Sequence, residues 1–137
     1  MNIFLDDIRT PDMSHNNDKG LGIHYSSDKK WIIVRNYFDF IKLIDDNLHK
    51  VDLISFDHDI ASYDGDKEFT GKDAANYLIN KCIDYNVKLP NWFVHSDNTS
   101  GKANITGIML NYLKAVEGYD ISNFRYYHNG VLNGMAV

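Results

Sequence analysis

Val51-Asp52-Leu53-Ile54-Ser55-Phe56 runs straight into Asp57-His58-Asp59. A short apolar run bounded by polar residues reads as a buried strand, and this one stops on an acid, an imidazole and a second acid. The pattern recurs twice: Asn2 to Leu5 stops on Asp6-Asp7, and Trp92 to Val94 stops on His95-Ser96-Asp97-Asn98. Segments of helical period separate these runs. Phe38, Ile41, Ile44 and Leu48 predict a helix over about Tyr37 to His49. Ala74, Ala75, Leu78, Ile79, Cys82 and Ile83 predict another beginning near Gly71, with Thr70 as its cap. Ile105, Ile108, Met109, Tyr112 and Leu113 predict a third. The β-branched run Trp31 to Arg35 reads as a further strand, and Phe124 to Tyr127 as the last, before a turn at Asn129-Gly130. Ile8 to Lys30 and the stretch through Asp64-Gly65-Asp66 read as polar loops. Strands alternating with helices imply an α/β fold whose parallel sheet is covered on both faces.

The chain has 137 residues and a formal net charge of −5, with 44% hydrophobic and 24% charged residues. That length makes one domain, residues 1–137, able to bury roughly two-thirds of its unfolded surface. The composition is that of an ordinary globular protein and argues against disorder. No run approaches the roughly 18 apolar residues of a membrane span, and the start, Met1-Asn2-Ile3, lacks the basic region of a signal peptide. The single Cys82 forms no internal disulfide and fits a reducing cytoplasm. The expected location is the cytoplasm of a bacterium, or of a host cell if the gene is carried by a phage. Plentiful Asn, Ile, Lys and Tyr beside only three arginines (Arg9, Arg35, Arg125) fit an AT-rich genome such as many phages carry. The acidic balance gives no support to duplex nucleic acid as a partner.

In a parallel sheet the three polar clusters arrive at one edge, the carboxyl ends of the strands, where open α/β sheets place their ligand crevice. Asp6, Asp7, Asp57 and Asp59 cannot all stay ionised within a few Å without a cation or raised pKa values. A hard divalent ion, Mg²⁺ or Mn²⁺, would resolve that repulsion; Asp7 and Asp59 are equally suited to caps and turns. A phosphate ligand would need that metal or nearby cations, for which Arg9, Arg35, Lys72 and Lys102 are placed. His58 and His95 suit general acid–base chemistry at neutral pH, with metal ligation or simple packing as the alternatives. His15 and His24 fall in the long loop, and His49 and His128 read as incidental. Ser96-Asp97-Asn98-Thr99-Ser100-Gly101-Lys102 leads into a helix and offers amides to an anion. It lacks the first glycine of a Walker A loop and has Ala103 where that loop needs a hydroxyl.

Leu5-Asp6-Asp7-Ile8-Arg9-x-Pro11, Trp31 with Val34-Arg35, Ile54-Ser55-Phe56-Asp57-His58-Asp59, Glu68-x-Thr70-Gly71, Val94-His95-Ser96-x-Asn98 and Asn104-Ile105 together resemble the cyclic-phosphate-processing receiver-like domains. The resemblance spans roughly Asn2 to Leu113. It implies a receiver (flavodoxin-like) three-layer fold with a five-stranded sheet of order 2-1-3-4-5, the long loop after Arg9 replacing the first receiver helix. In receivers an acidic pair binds Mg²⁺, an Asp after strand three takes a phosphoryl group, a Ser or Thr follows strand four and a Lys follows strand five. Asp6, Asp7, Asp57 and Ser96 match the first three positions. The Lys is missing, since Phe124 is followed by Arg125-Tyr126-Tyr127-His128. The family implies binding or processing of 2′,3′-cyclic phosphate RNA ends or related cyclic nucleotides in RNA repair.

The resulting expectation is a metal-assisted phosphodiesterase. Asp6, Asp7, Asp57 and Asp59 would hold the metal, and His58, His95 and Asp57 would carry the chemistry. Arg9, Arg35, Thr70, Ser96, Asn98 and Lys102 would hold the phosphate. The alternatives are a binder that keeps its ligand intact, such as a phage protein sequestering a host defence signal, and a phosphorylated receiver.

Overall fold

A computed structural model describes residues 1–12 and 30–118. In chain order the elements are β1 (Asn2–Leu5), β2 (Trp31–Val34), α1 (Tyr37–Asn47) tightening into a 3₁₀ turn (Leu48–Lys50), β3 (Leu53–Phe56), β4 (Ser62–Asp64), β5 (Lys67–Phe69), α2 (Gly71–Tyr85), β6 (Asn91–Val94) and α3 (Thr99–Ala115). β1, β2, β3 and β6 form one parallel sheet in the order β2-β1-β3-β6. This is the receiver arrangement over the described residues, with four strands where five were expected. The expected fifth strand at Phe124–Tyr127, the turn at Asn129-Gly130 and most of the Ile8–Lys30 loop lie outside the described residues. No helix among the described residues is long and apolar enough to cross a membrane.

Period-two alternation sorts the strand side chains between the faces. Ile3, Leu5, Val34, Ile54, Phe56, Trp92 and Val94 point to one face and join Phe40, Ile44, Ala74, Ala75, Leu78, Ile105, Met109 and Leu113 of the three helices in one core. The alternate residues include Phe4 and Phe93, fully buried on the other face and joined through edge-to-face contacts with Trp31.

Register is what builds the site. Leu5 pairs with both Val34 and Phe56, and Phe56 with Val94. One residue further along each strand comes a row of functional side chains: Arg35, Asp6, Asp57, His95. The ladder carries on into that row, with the Asp6, Asp57 and His95 amides donating to Val34, Leu5 and Phe56 carbonyls at 3.1, 2.9 and 2.9 Å.

The structure corrects the sequence reading in three places. The stretch expected to be a polar loop through Asp64-Gly65-Asp66 is a two-stranded antiparallel hairpin, β4 with β5. Gly65 takes φ +61° at the first of its two turn positions, a conformation glycine adopts without steric cost. The Ser62 hydroxyl accepts the Tyr37 amide at 2.9 Å, and the Tyr37 ring stacks on Phe69 with centroids 4.5 Å apart. These contacts pin the hairpin to the start of α1. Phe38 and Ile83, expected on buried helix faces, are 42% and 53% exposed. The buried seam runs through Phe40 and the expected Ile44 and Leu48, the last in the 3₁₀ turn, and Phe38 packs edge-on against Phe69.

Candidate functional site

Asp6 is the hub of the row. Its Oδ1 accepts the amides of Ile8 and Arg9 at 2.9 and 2.7 Å, and its Oδ2 accepts Arg9 Nε at 3.0 Å and lies 2.9 Å from His95 Nε2. An ionised carboxylate offers about four acceptor positions, and all are in use. Burial pushes the Asp6 carboxyl up, but the His95 bond and the two amides outweigh it and hold the group well below the usual carboxylate range.

His95 lies between Asp6 and the Ser55 hydroxyl, whose Oγ is 2.6 Å from Nδ1. Its ring stacks on Phe4 with centroids 4.3 Å apart and is 0% exposed. Both ring nitrogens are thus engaged away from solvent. Sequence reasoning missed Ser55 as the partner, although a lone hydroxyl in the otherwise apolar Leu-Ile-Ser-Phe strand is the signal that could have found it.

Arg9 lies across the carboxylates. Nε bonds Asp6, one Nη lies 3.7 Å from Asp57 Oδ1 and donates to the His95 carbonyl at 3.1 Å, and the other lies 3.5 Å from Asp97. Burial disfavours its charge, yet Asp6, Asp57 and Asp97 together raise its pKa above the ordinary value. Arg35 works from behind, donating to the carbonyls of Asp6 and Arg9 at 3.2 and 2.6 Å. It braces the turn that presents Arg9 rather than lining the cleft.

Asp57 is buried, accepts its neighbour His58's amide at 2.8 Å, and shares Arg9 with Asp6. Burial, then repulsion from Asp6, raises its carboxyl to about 6, against the smaller pull of Arg9, the His58 amide and the Ser96 hydroxyl. His58 Nδ1 bonds Asp59 Oδ1 at 2.8 Å, and Asn98 Nδ2 steadies Asp59 at 3.1 Å. Led by the His58 bond, these contacts lower the Asp59 carboxyl. Two glycines make room for this segment. A Cβ on Gly71 would sit 1.9 Å from the Asp57 carbonyl oxygen, and one on Gly101 would sit 2.3 Å from Cγ of the His58 ring.

Asp6, Asp7, Ile8, Arg9, Asp57, Asp59, Ser96, Asp97 and Asn98 line an open cleft of about 390 Å³ at this edge. Asp97, absent from the expected ligand sets, lines it and pairs with Arg9. Ser96 is buried and accepts the Asn98 amide at 3.1 Å; Asn98 caps α3 through the Gly101 amide at 2.9 Å. Thr70 caps α2, Lys72 and Lys102 stand in the first turns of α2 and α3, and none of the three lines the cleft. Thr70 is engaged in its cap, its amide donating to Asp73 at 2.8 Å. Cys82 is buried in α2, and burial pushes its thiol up to about 12. His15, His24, Arg125 and His128 lie outside the described residues.

The expected four-carboxylate metal set does not converge. Among the described residues the one group of metal-ligating atoms close enough to share an ion is Asp6, Asp57 and His95. It fits a divalent ion poorly. Asp6 has no acceptor position left, both His95 nitrogens are engaged, and Arg9 already reaches both acids.

Comparison with curated proteins and with solved structures finds no match. The family model for the cyclic-phosphate processing receiver domain matches residues 1–111, which contain the whole row and the cleft. The chain therefore belongs to the cyclic-phosphate processing receiver domain family.

Proposed function

We propose that the cleft binds a 2′,3′-cyclic phosphate, on an RNA end or a small cyclic nucleotide, and opens it by hydrolysis. The observation that carries this reading is Asp57. A carboxyl raised to about 6 beside a fixed guanidinium, on an open cleft, is a proton-transfer group poised near neutral pH. Arg9 would meet the phosphate oxygens with the N–H groups its carboxylate partners leave over, and the first amides of α3 would supply further donors. Asp57 in its protonated form would give its proton to the departing 2′ or 3′ oxygen. Asp59, which lines the cleft, selects the tautomer of His58 with the proton on Nδ1, and His58, just behind that lining, would act as the base through Nε2. The new bond joins water oxygen to phosphorus, the old ring P–O bond breaks, and a phosphomonoester remains.

The acidic rim supports a cyclic ester as the substrate class. A cyclic phosphodiester carries one negative charge and its product nearly two. Each exposed carboxylate at about 4 Å adds roughly 1 kcal/mol of repulsion per charge in water. Asp7, Asp59 and Asp97 on the rim therefore tolerate the substrate better than the product and favour release.

The test is incubation with a panel of 2′,3′-cyclic nucleotides and cyclic-phosphate RNA ends, with and without Mg²⁺ or Mn²⁺. Turnover by the wild type that Asp57→Asn abolishes supports hydrolysis. No turnover across the panel sinks it. A second reading, a binder that releases its ligand unchanged, is favoured by the cleft lining, which includes neither His95 nor His58. Stoichiometric heat of binding with the ligand recovered intact would select it.

A further inference from the structure

We infer that Arg9 is the resident cation of the strand-end pocket, holding the place a divalent ion would need, so that ligands bind at this edge without metal. The inference goes beyond the proposed hydrolysis and stands on geometry that does not depend on it. A metal at this edge would have to bridge Asp6 and Asp57, the two buried carboxylates of the row. The guanidinium already does so, with Nε 3.0 Å from Asp6 Oδ2 and an Nη 3.7 Å from Asp57 Oδ1. It is also built in rather than draped over the surface. The Arg9 amide donates to Asp6, its carbonyl accepts Arg35, its Nη donates to the His95 carbonyl, and its side chain is 15% exposed.

The remaining donors exclude a simple exchange of one cation for another. Mg²⁺ demands near-octahedral oxygen ligands at about 2.1 Å. To supply one, Asp6 would have to give up a main-chain amide, Arg9 Nε or His95, each of which holds the β1 turn or the β6 end in place. A planar guanidinium, by contrast, presents five donors in a fork that matches carboxylates, and it cannot lose its charge.

Mn²⁺ uptake tests this without any cyclic phosphate, so its outcome is separate from that of the hydrolysis assay. The wild-type chain should leave the electron paramagnetic resonance signal of free Mn²⁺ unchanged, and its melting temperature should be the same in chelator and in Mg²⁺. Arg9→Gln, which removes the charge, should take up one Mn²⁺ per chain, and the double variant with Asp57→Asn should lose it again. Arg9→Lys keeps a cation in place and should remain ion-free even if Arg9→Gln fails to fold. Uptake of one Mn²⁺ by the wild type, lost in Asp57→Asn, would overturn the inference. So would a folded Arg9→Gln chain that gains no ion.

Discussion

Asp57→Asn should make the protein more stable at neutral pH, not less. The Asp57 carboxyl has an ordinary value of 3.8 and is raised to about 6 in the fold. The folded state therefore holds a proton between these values that the unfolded chain has released, and stability falls as pH rises through that window. At about 1.4 kcal/mol per pH unit, the penalty above pH 6 is about 3 kcal/mol. Asparagine keeps the shape and an oxygen for the His58 amide but has no charge to desolvate or to repel Asp6. The rise to about 6 already includes the attraction of Arg9 at 3.7 Å, so, with the new amide imperfectly paired, a net gain of about 1–3 kcal/mol is expected at pH 7.5. Near pH 4 the two proteins should be nearly equal. Urea denaturation at pH 4, 6 and 7.5 measures the difference, and carbon NMR of the Asp57 carboxyl measures its titration directly. A variant less stable than wild type at pH 7.5, or a difference that does not change with pH, would refute the argument. Either result would mean that Arg9 compensates the charge of Asp57 more fully than its burial opposes it.

Asp6→Asn should have the opposite sign and cost about 3–5 kcal/mol, because it strands Arg9 and His95 around a lost charge; a drop in melting temperature checks it. Since the Asp6 carboxyl is depressed in the fold, its contribution is present above the unfolded value of 3.8 and is lost as pH falls below it. Asp6 and Asp57 together place the stability maximum near pH 4, with a decline from there to about pH 6, which a melting series across pH would locate. Gly71→Ala and Gly107→Ala form a matched pair. Gly107 lies in α3 with nothing within 4 Å of an added Cβ, so alanine there should stabilise by about 0.5–1 kcal/mol. At Gly71 the same methyl meets the Asp57 carbonyl oxygen at 1.9 Å, and it should destabilise by about 1–3 kcal/mol and shift the amide resonance of His58. Equal effects at the two glycines would mean that α2 can slide away from the 57–58 segment.

The sheet was legible because its strands are apolar runs that end abruptly on polar clusters, and the parallel alternation followed from the helical periods between them. The hairpin was harder to see. Its strands are three residues each and carry Ser62, Asp64, Lys67 and Glu68, so the Gly65-Asp66 turn had no apolar flanks to mark it. The two histidines show where residue type stops being informative. Both follow a strand end, but His95 shares the parity of Phe93 and therefore turns to the face of Phe4 and Ser55. His58 falls one residue past the row, against Gly101. Parity with a known register separates them; composition cannot. Arg9 was read as one of several phosphate-holding cations, because a linear sequence shows that acids and a base are near one another without showing which oxygen each donor takes.

That allocation explains the proton on Asp57. Two buried carboxylates face one monovalent guanidinium, so the pocket has one positive charge for two acids. Asp6 takes Nε, two main-chain amides and His95 at 2.7–3.0 Å and stays ionised. Asp57 receives an Nη at 3.7 Å, a single amide and the Ser96 hydroxyl, which is too little to offset its burial and the repulsion of Asp6, and its carboxyl rises to about 6. A divalent ion in the same place would ionise both acids and leave no group titrating near neutrality. On the proposed reading, a fixed arginine in place of a metal is therefore what would supply this edge with a transferable proton, and the allocation of donors assigns that proton to Asp57, which lines the cleft beside Asp6.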